Sequence, residues 1–334
     1  MCTITAAVEV MRAGRLVGPG EVVVDGFPVP APQPGEVLLR TLQASICGSD
    51  VHVVFAGRDG DEFPHPPGSP GHESVGEVLE SRSERHGPGD LVLATPVPRT
   101  SRAFADLQAV PDTFLVPLPA GVHVETALMA QQLGTVIFAM KRFWSGPPGE
   151  TATVIGAGSA GLHFTQLLRR AGFGRIVVAD AHAHRLAAAR ALGADVTVHA
   201  PAESVVEATM DLTGGRGADL VVEAAGRDAT RVQALLAVAG AGRVGFFGLP
   251  ERGGDMTLPF GEVFRRRPTI SVSAGAQLEP GLASFHEAVR RLGGGELDAS
   301  RLVTHRIGIE RLPDALALAR EGAHGAVKVA IDFD

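Results

Sequence analysis

The segment Ser45-Ile46-Cys47-Gly48-Ser49-Asp50-Val51-His52 gathers a thiol, two hydroxyls, a carboxylate and an imidazole within one short stretch. Cys47 is one of two cysteines in 334 residues, the other being Cys2. Further along, Gly71-His72-Glu73 adds a second imidazole and a second carboxylate. Thiolate, imidazole and carboxylate are the S, N and O donors that zinc takes in tetrahedral geometry. Three protein donors with an open fourth position make a catalytic site rather than a structural one. Alone, Cys47 reads as a buried inert thiol and His72 as a surface imidazole. Together with Glu73 they read as a metal site.

A second constellation is Val154-Ile155-Gly156-Ala157-Gly158-Ser159-Ala160-Gly161, a G-x-G-x-x-G sequence. In a chain with 42 glycines such spacing arises by chance, so its context has to carry the reading. It follows the apolar run Thr151 to Ile155 and opens a stretch of helical periodicity, and the next apolar run ends in Asp180. Gly156 would make the tight turn, Gly158 would let a pyrophosphate approach the backbone, and Gly161 would let helix and strand pack closely. The N–H groups of Ser159 and Ala160, at the helix start, would face the phosphates. Asp180 would accept hydrogen bonds from the adenosine ribose and repel a 2′-phosphate, which favours NAD. Arg185 could reach the same ribose, and Gly248 and Ser273, at the ends of later apolar runs, complete the expected cofactor contacts. His182 and His184 read as a solvated loop.

Positioning these residues takes two kinds of architecture. Residues 1–123 carry short alternating runs such as Glu36-Val37-Leu38-Leu39-Arg40, separated by Pro- and Gly-rich turns, which predicts a β-rich module. From about residue 124 to 276 apolar runs alternate with helical patterns, which predicts a doubly wound parallel sheet. Two helical stretches follow residue 280. The last strand, Ala326-Val327-Lys328-Val329-Ala330-Ile331-Asp332-Phe333, is expected to return to the β-rich module, giving domains of 1–123 with 277–334 and of 124–276. Phe143 and Trp144 are expected in the seam between them.

In order along the chain, C-G-S-D-x-H, G-H-E, G-A-G-x-x-G and a ribose acid resemble the zinc-dependent medium-chain dehydrogenase/reductase family, with its alcohol, sorbitol and glucose dehydrogenases. The likeness extends over essentially the whole chain. It implies a Rossmann domain joined to a β-rich GroES-like catalytic domain. It also implies that Cys47 and His72 ligate a catalytic zinc, that Glu73 joins or leaves the coordination, and that Asp50 orients His72. Ser49 and His52 would relay the substrate's proton to solvent. Two departures stand out. The lobe with four closely spaced cysteines that holds a structural zinc in many relatives is missing, so one zinc is expected. Where the family places a third ligand at the start of the helix into the cofactor domain, this chain reads Gln131-Gln132-Leu133. Gln131 could supply a weaker carboxamide donor, Glu73 could be the third ligand, or zinc affinity could be lost.

The resemblance therefore implies an NAD-dependent oxidation of a secondary alcohol: a polyol, sugar, cyclitol or amino-alcohol. The alternatives are a metal-free quinone or enoyl reductase, which would lack the Cys/His/Glu set, and a non-catalytic dinucleotide-binding protein. Homodimers or homotetramers are the family's habit. A net charge of −7 argues against nucleic acid as partner. No apolar run of 18 residues argues for a membrane span. The N-terminus carries no leader pattern, and the scarcity of cysteine fits a reducing cytoplasm.

Overall fold

The computed structural model describes residues 10–57, 60–97 and 100–333, so Cys2 lies outside it. The chain divides into two compact units, one of Met1–Gln131, Pro280–Leu282 and Val303–Asp334, the other of Gln132–Glu279 and Ala283–Leu302.

In the first unit a hairpin of Val10–Gly18 and Glu21–Pro28 accompanies a seven-stranded sheet. Strand Glu36–Ser45 is its spine. It pairs antiparallel with Ser74–Ser81 on one edge, and on the other with Leu107–Pro111 over residues 36–40 and with Lys328–Asp332 over residues 43–45. Val37, Leu39 and Thr41 alternate inward, as a half-buried strand requires. Val37 and Leu39 meet a core containing Val78, Val92, Ala94, Val110 and Leu115. The C-terminal strand thus closes the sheet beside residues near the start of the chain. Helix Gly48–Ala56 docks by Val53 and Val54 onto Leu312, Ala315 and Leu316 of helix Leu312–Glu321. Each such burial stabilises by roughly 1.5–3 kcal/mol.

The second unit is a six-stranded parallel sheet ordered Val196–His199, Arg175–Asp180, Thr151–Ile155, Ala218–Glu223, Val238–Phe246, Thr269–Val272. Counted along the chain, this is the third, second, first, fourth, fifth and sixth strand, the dinucleotide-fold order. Its central strands Thr151–Ile155, Arg175–Asp180 and Ala218–Glu223 are buried on both faces and read as largely apolar runs for that reason.

One expectation changes. The second unit extends past residue 276, because helix Ala283–Gly293 drives the fully buried Phe285 against Gly134, where a Cβ would lie 2.3 Å from the ring. Phe143 is buried in this unit and Trp144 half-buried. Phe143 stacks on Phe164 with ring centroids 6.1 Å apart, and Trp144 meets Phe173 edge-on at 5.1 Å. The edge strand Thr269–Val272 leaves Ile270 and Val272 exposed, near the exposed Phe260 and Phe264 of helix Phe260–Arg266. Among the described residues no helix is long and apolar enough to cross a membrane.

Candidate active site

Strand register builds the first constellation. Ser45 N–H donates to Glu73 O at 3.0 Å, and Ile46 N–H donates to Val329 O at 3.0 Å. The chain leaving Glu36–Ser45 is thereby gripped from both sides just before Cys47. Cys47 caps helix Gly48–Ala56, and its N–H donates to Asp50 Oδ2 at 2.9 Å. An acid in the first turn satisfies a helix-start donor and complements the positive end of the helix dipole.

His72 follows Gly71, which packs so tightly that a Cβ would lie 2.6 Å from the Phe104 ring. Its Nδ1 is 2.7 Å from Asp50 Oδ1 and 3.3 Å from the Pro70 carbonyl, both acceptors. That assigns the ring proton to Nδ1 and leaves the Nε2 lone pair for a cation. Ser49 Oγ lies 3.3 Å from Nε2. His52 is half-buried on the same helix, three residues from Ser49 and so on the same face.

Glu73 is almost wholly buried. Its Oε2 accepts from Ser45 Oγ at 2.5 Å and forms an ion pair with Lys328 Nζ at 2.5 Å. Both charges lie out of water, where an unpaired one would be costly. Lys328 belongs to this buried cluster, and motif reading did not single it out. Its signal was a lone cation inside an otherwise apolar strand.

The ligand atoms of Cys47, His72 and Glu73 lie within 4.8 Å of one another. Their S, N and O donors fit zinc. The charges fit too: a Cys47 thiolate, Glu73 and Asp50 would outnumber Lys328, and a divalent cation restores neutrality. Without metal, burial alone would drive His72 toward neutrality. Asp50 and the Cys47 sulfur outweigh burial and raise its pKa well above the ordinary value. Burial would likewise raise Glu73, but Lys328, His72 and Ser45 hold it below the usual carboxylate range. Burial would lower Lys328, and Glu73 with Cys47 and Asp50 raises it instead.

The second constellation stands in the other unit. Gly156 has φ 102°, and a Cβ there would lie 2.9 Å from Ala225 N; a Cβ on Gly161 would lie 1.8 Å from Gly156 O. Both positions exclude a side chain. A Cβ on Gly158 would meet nothing within 4 Å, so open space faces the backbone at the start of helix Ser159–Ala171. No side chain caps that helix, which leaves its first N–H groups, Ser159 and Ala160 among them, for a ligand. Asp180 Oδ2 accepts from Ala157 N–H at 2.7 Å, and Oδ1 accepts from His182 N–H at 2.9 Å. The acid thus ties the glycine turn to the next strand's end. Arg185 is half-buried in the first turn of helix Ala183–Ala191. Gly248 N–H donates to Glu223 O at 3.0 Å. Ser273 Oγ is buried with no partner among the described residues, an orphan hydroxyl suited to a cofactor amide. Gln131 is buried in helix Val124–Phe143.

Two family models match the chain, "Alcohol dehydrogenase GroES-like domain" over residues 33–133 and "Zinc-binding dehydrogenase" over residues 160–293. L-threonine 3-dehydrogenase of Bacillus velezensis is 29% identical, aligned over 90% of this chain and 93% of its own length. Sorbitol dehydrogenase of Bacillus subtilis is 25% identical over 96% and 97%. Among solved structures, alcohol dehydrogenase TADH of Thermus sp. ATN1 superposes with a TM-score of 0.81 at 27% identity, covering 96% of this chain and 99% of that one.

Proposed function

The chain belongs to the zinc-dependent medium-chain dehydrogenase/reductase family, and from that premise we propose that it oxidises a secondary alcohol to a ketone with NAD as hydride acceptor. The observation that carries this reading is the convergence of Cys47, His72 and Glu73 in a unit that also supplies Ser49 and His52. Polyols, sugars, cyclitols and amino-alcohols are the substrate class, in keeping with relatives whose names specify threonine and sorbitol.

Cys47, His72 through Nε2, and Glu73 would hold one zinc, which would supply the Lewis acidity that lowers the pKa of a substrate hydroxyl. Ser45 and Lys328 both engage Oε2 of Glu73, which leaves Oε1 as the donor. Glu73 ranks ahead of Gln131 as third ligand because an anion binds more tightly than a carboxamide. Asp50 keeps the proton of His72 on Nδ1. Ser49 Oγ accepts the hydroxyl proton and passes its own to His52 and then to solvent. The Gly156–Gly161 turn, Asp180, Arg185, Gly248 and Ser273 would bind the dinucleotide, whose nicotinamide would accept the carbinol hydride.

The test is NADH absorbance with a panel of such alcohols and either NAD or NADP, on protein whose metal has been measured. NAD is expected to be preferred, and Asp180→Ala to erode that preference about tenfold, the size of one lost hydrogen bond to a charged group. Zinc-free protein that retains full turnover, or NADP preferred by the wild type, would contradict the reading. The exposed apolar edge at Ile270 and Val272 supports a homodimer joined there. Sedimentation should give twice the chain mass, falling to the single-chain mass for Val272→Lys. A wild-type monomer would end the dimer proposal.

A further inference from the structure

The β-rich unit also contains a cavity of about 390 Å³, a size suited to a small metabolite. Its wall includes His72, so it touches the three-donor group, together with Thr95, Val97, Ser101 and Arg102. Arg102 is half-buried. Among the described residues its single hydrogen bond runs from Nη1 to the carbonyl of its neighbour Ser101, at 2.9 Å. No carboxylate pairs with it there. Arg12 pairs with Asp106, Arg40 with Glu77 and Arg306 with Glu125, whereas Arg15 and Arg82 bond to carbonyls away from this cavity's wall. The acid on the cavity wall, Glu36, turns its Oε2 to Gln33 N–H at 2.9 Å. Burial lowers the pKa of Arg102, and no acid offsets it. A guanidinium presents five N–H donors in a planar fork that matches a carboxylate or a phosphate. Here Arg102 lines a cavity, half removed from water and with no carboxylate partner among the described residues.

We infer that Arg102 recognises an anionic group of the substrate, so that the alcohols this protein oxidises carry a carboxylate or a phosphate. This rests on the dehydrogenase reading and narrows it. The anion takes no part in the redox chemistry. The carbinol carbon gives up its hydrogen with two electrons to NAD, the hydroxyl proton leaves for solvent, the C=O bond forms, and the charged group is unchanged in the ketone. Its work is to hold the carbinol in register with the catalytic residues, as a charge-assisted, bidentate contact does well.

The experiment compares kcat/KM for matched pairs of secondary alcohols on the intact, metal-loaded protein. A sugar acid and a β-hydroxy amino acid are set against their carboxyl-reduced alcohols, and a hexitol phosphate against the hexitol, so that the two arms separate carboxylate from phosphate. The charged member of at least one arm is expected to be preferred. Arg102→Gln should lower the charged-to-neutral ratio on the order of 100-fold, the scale of a lost charge-assisted pair. Arg102→Lys, which keeps the charge but not the fork, should restore part of it. Metal content checks that both variants are folded. Neutral alcohols turned over as well as charged ones, or a ratio unmoved by Arg102→Gln, overturns the assignment and leaves the dehydrogenase standing. If no alcohol yields NADH, it is the dehydrogenase reading that falls, and thermal stabilisation by inorganic phosphate then decides the site. A stabilisation lost in Arg102→Gln upholds an anion site, and equal response in the two proteins rejects it.

Discussion

Replacing Cys47 by alanine is expected to strip the metal from the protein and to lower turnover by on the order of 10³-fold or more, while NADH still binds. The metal's stabilisation of developing charge is worth several kcal/mol, and each 1.36 kcal/mol is a factor of ten in rate. The three-donor group would lose its sulfur, leaving His72 and Glu73, a pair that zinc does not hold firmly. The glycine turn, Asp180 and the uncapped helix start belong to the other unit. NADH affinity should therefore change little. Zinc by atomic emission, turnover by absorbance and NADH affinity by fluorescence titration read the three quantities separately. Retained zinc with full turnover would show that Cys47 is an ordinary packed thiol.

Lys328→Met should be nearly as damaging, through a different cause. It leaves the Glu73 carboxylate buried with Ser45 as its remaining partner. Breaking a buried ion pair from one side costs about 3–5 kcal/mol. The loss is expected in urea unfolding of chelator-treated protein, as an earlier transition for the β-rich unit. Glu73→Gln added to Lys328→Met should recover much of it, because a neutral amide no longer needs a cation. The pH dependence has a definite sign. In the wild type Glu73 is held below its ordinary pKa, so its contribution is present above that value and is lost as pH falls through the lowered one. In Lys328→Met the opposing effect of burial is unmasked and the carboxyl titrates upward. The variant's deficit should then shrink as pH falls from 8 toward 5. A deficit that is independent of pH, and not relieved by the double substitution, would mean that Lys328 acts through packing alone.

The parts of each constellation that depend on local spacing were legible in the chain, whereas strand register was needed to bring His72 and Glu73 to Cys47. Cys47, Ser49 and Asp50 share a helix start, where their separation alone sets which atoms meet. Gly156, Gly158 and Gly161 are dictated by a turn that admits no Cβ at its first and third glycines. The parallel sheet was legible for a similar reason, since strands buried on both faces read as unbroken apolar runs between helical periods.

What spacing could not reveal depends on contacts across hundreds of residues. Lys328 meets Glu73 because strand Lys328–Asp332 pairs with residues 43–45, a register written in no local pattern. Phe285 extends the second unit past its expected boundary because Gly134 leaves room for its ring. Arg102 looks like any surface arginine until the fold withholds a carboxylate from it and gives it a cavity wall. The sequence by itself determined the kind of chemistry and the kind of fold, since both follow from residue types at short range. The tertiary structure alone decided which charges are buried together and which is left unpaired, because burial and pairing are properties of segments that meet only once the chain has folded.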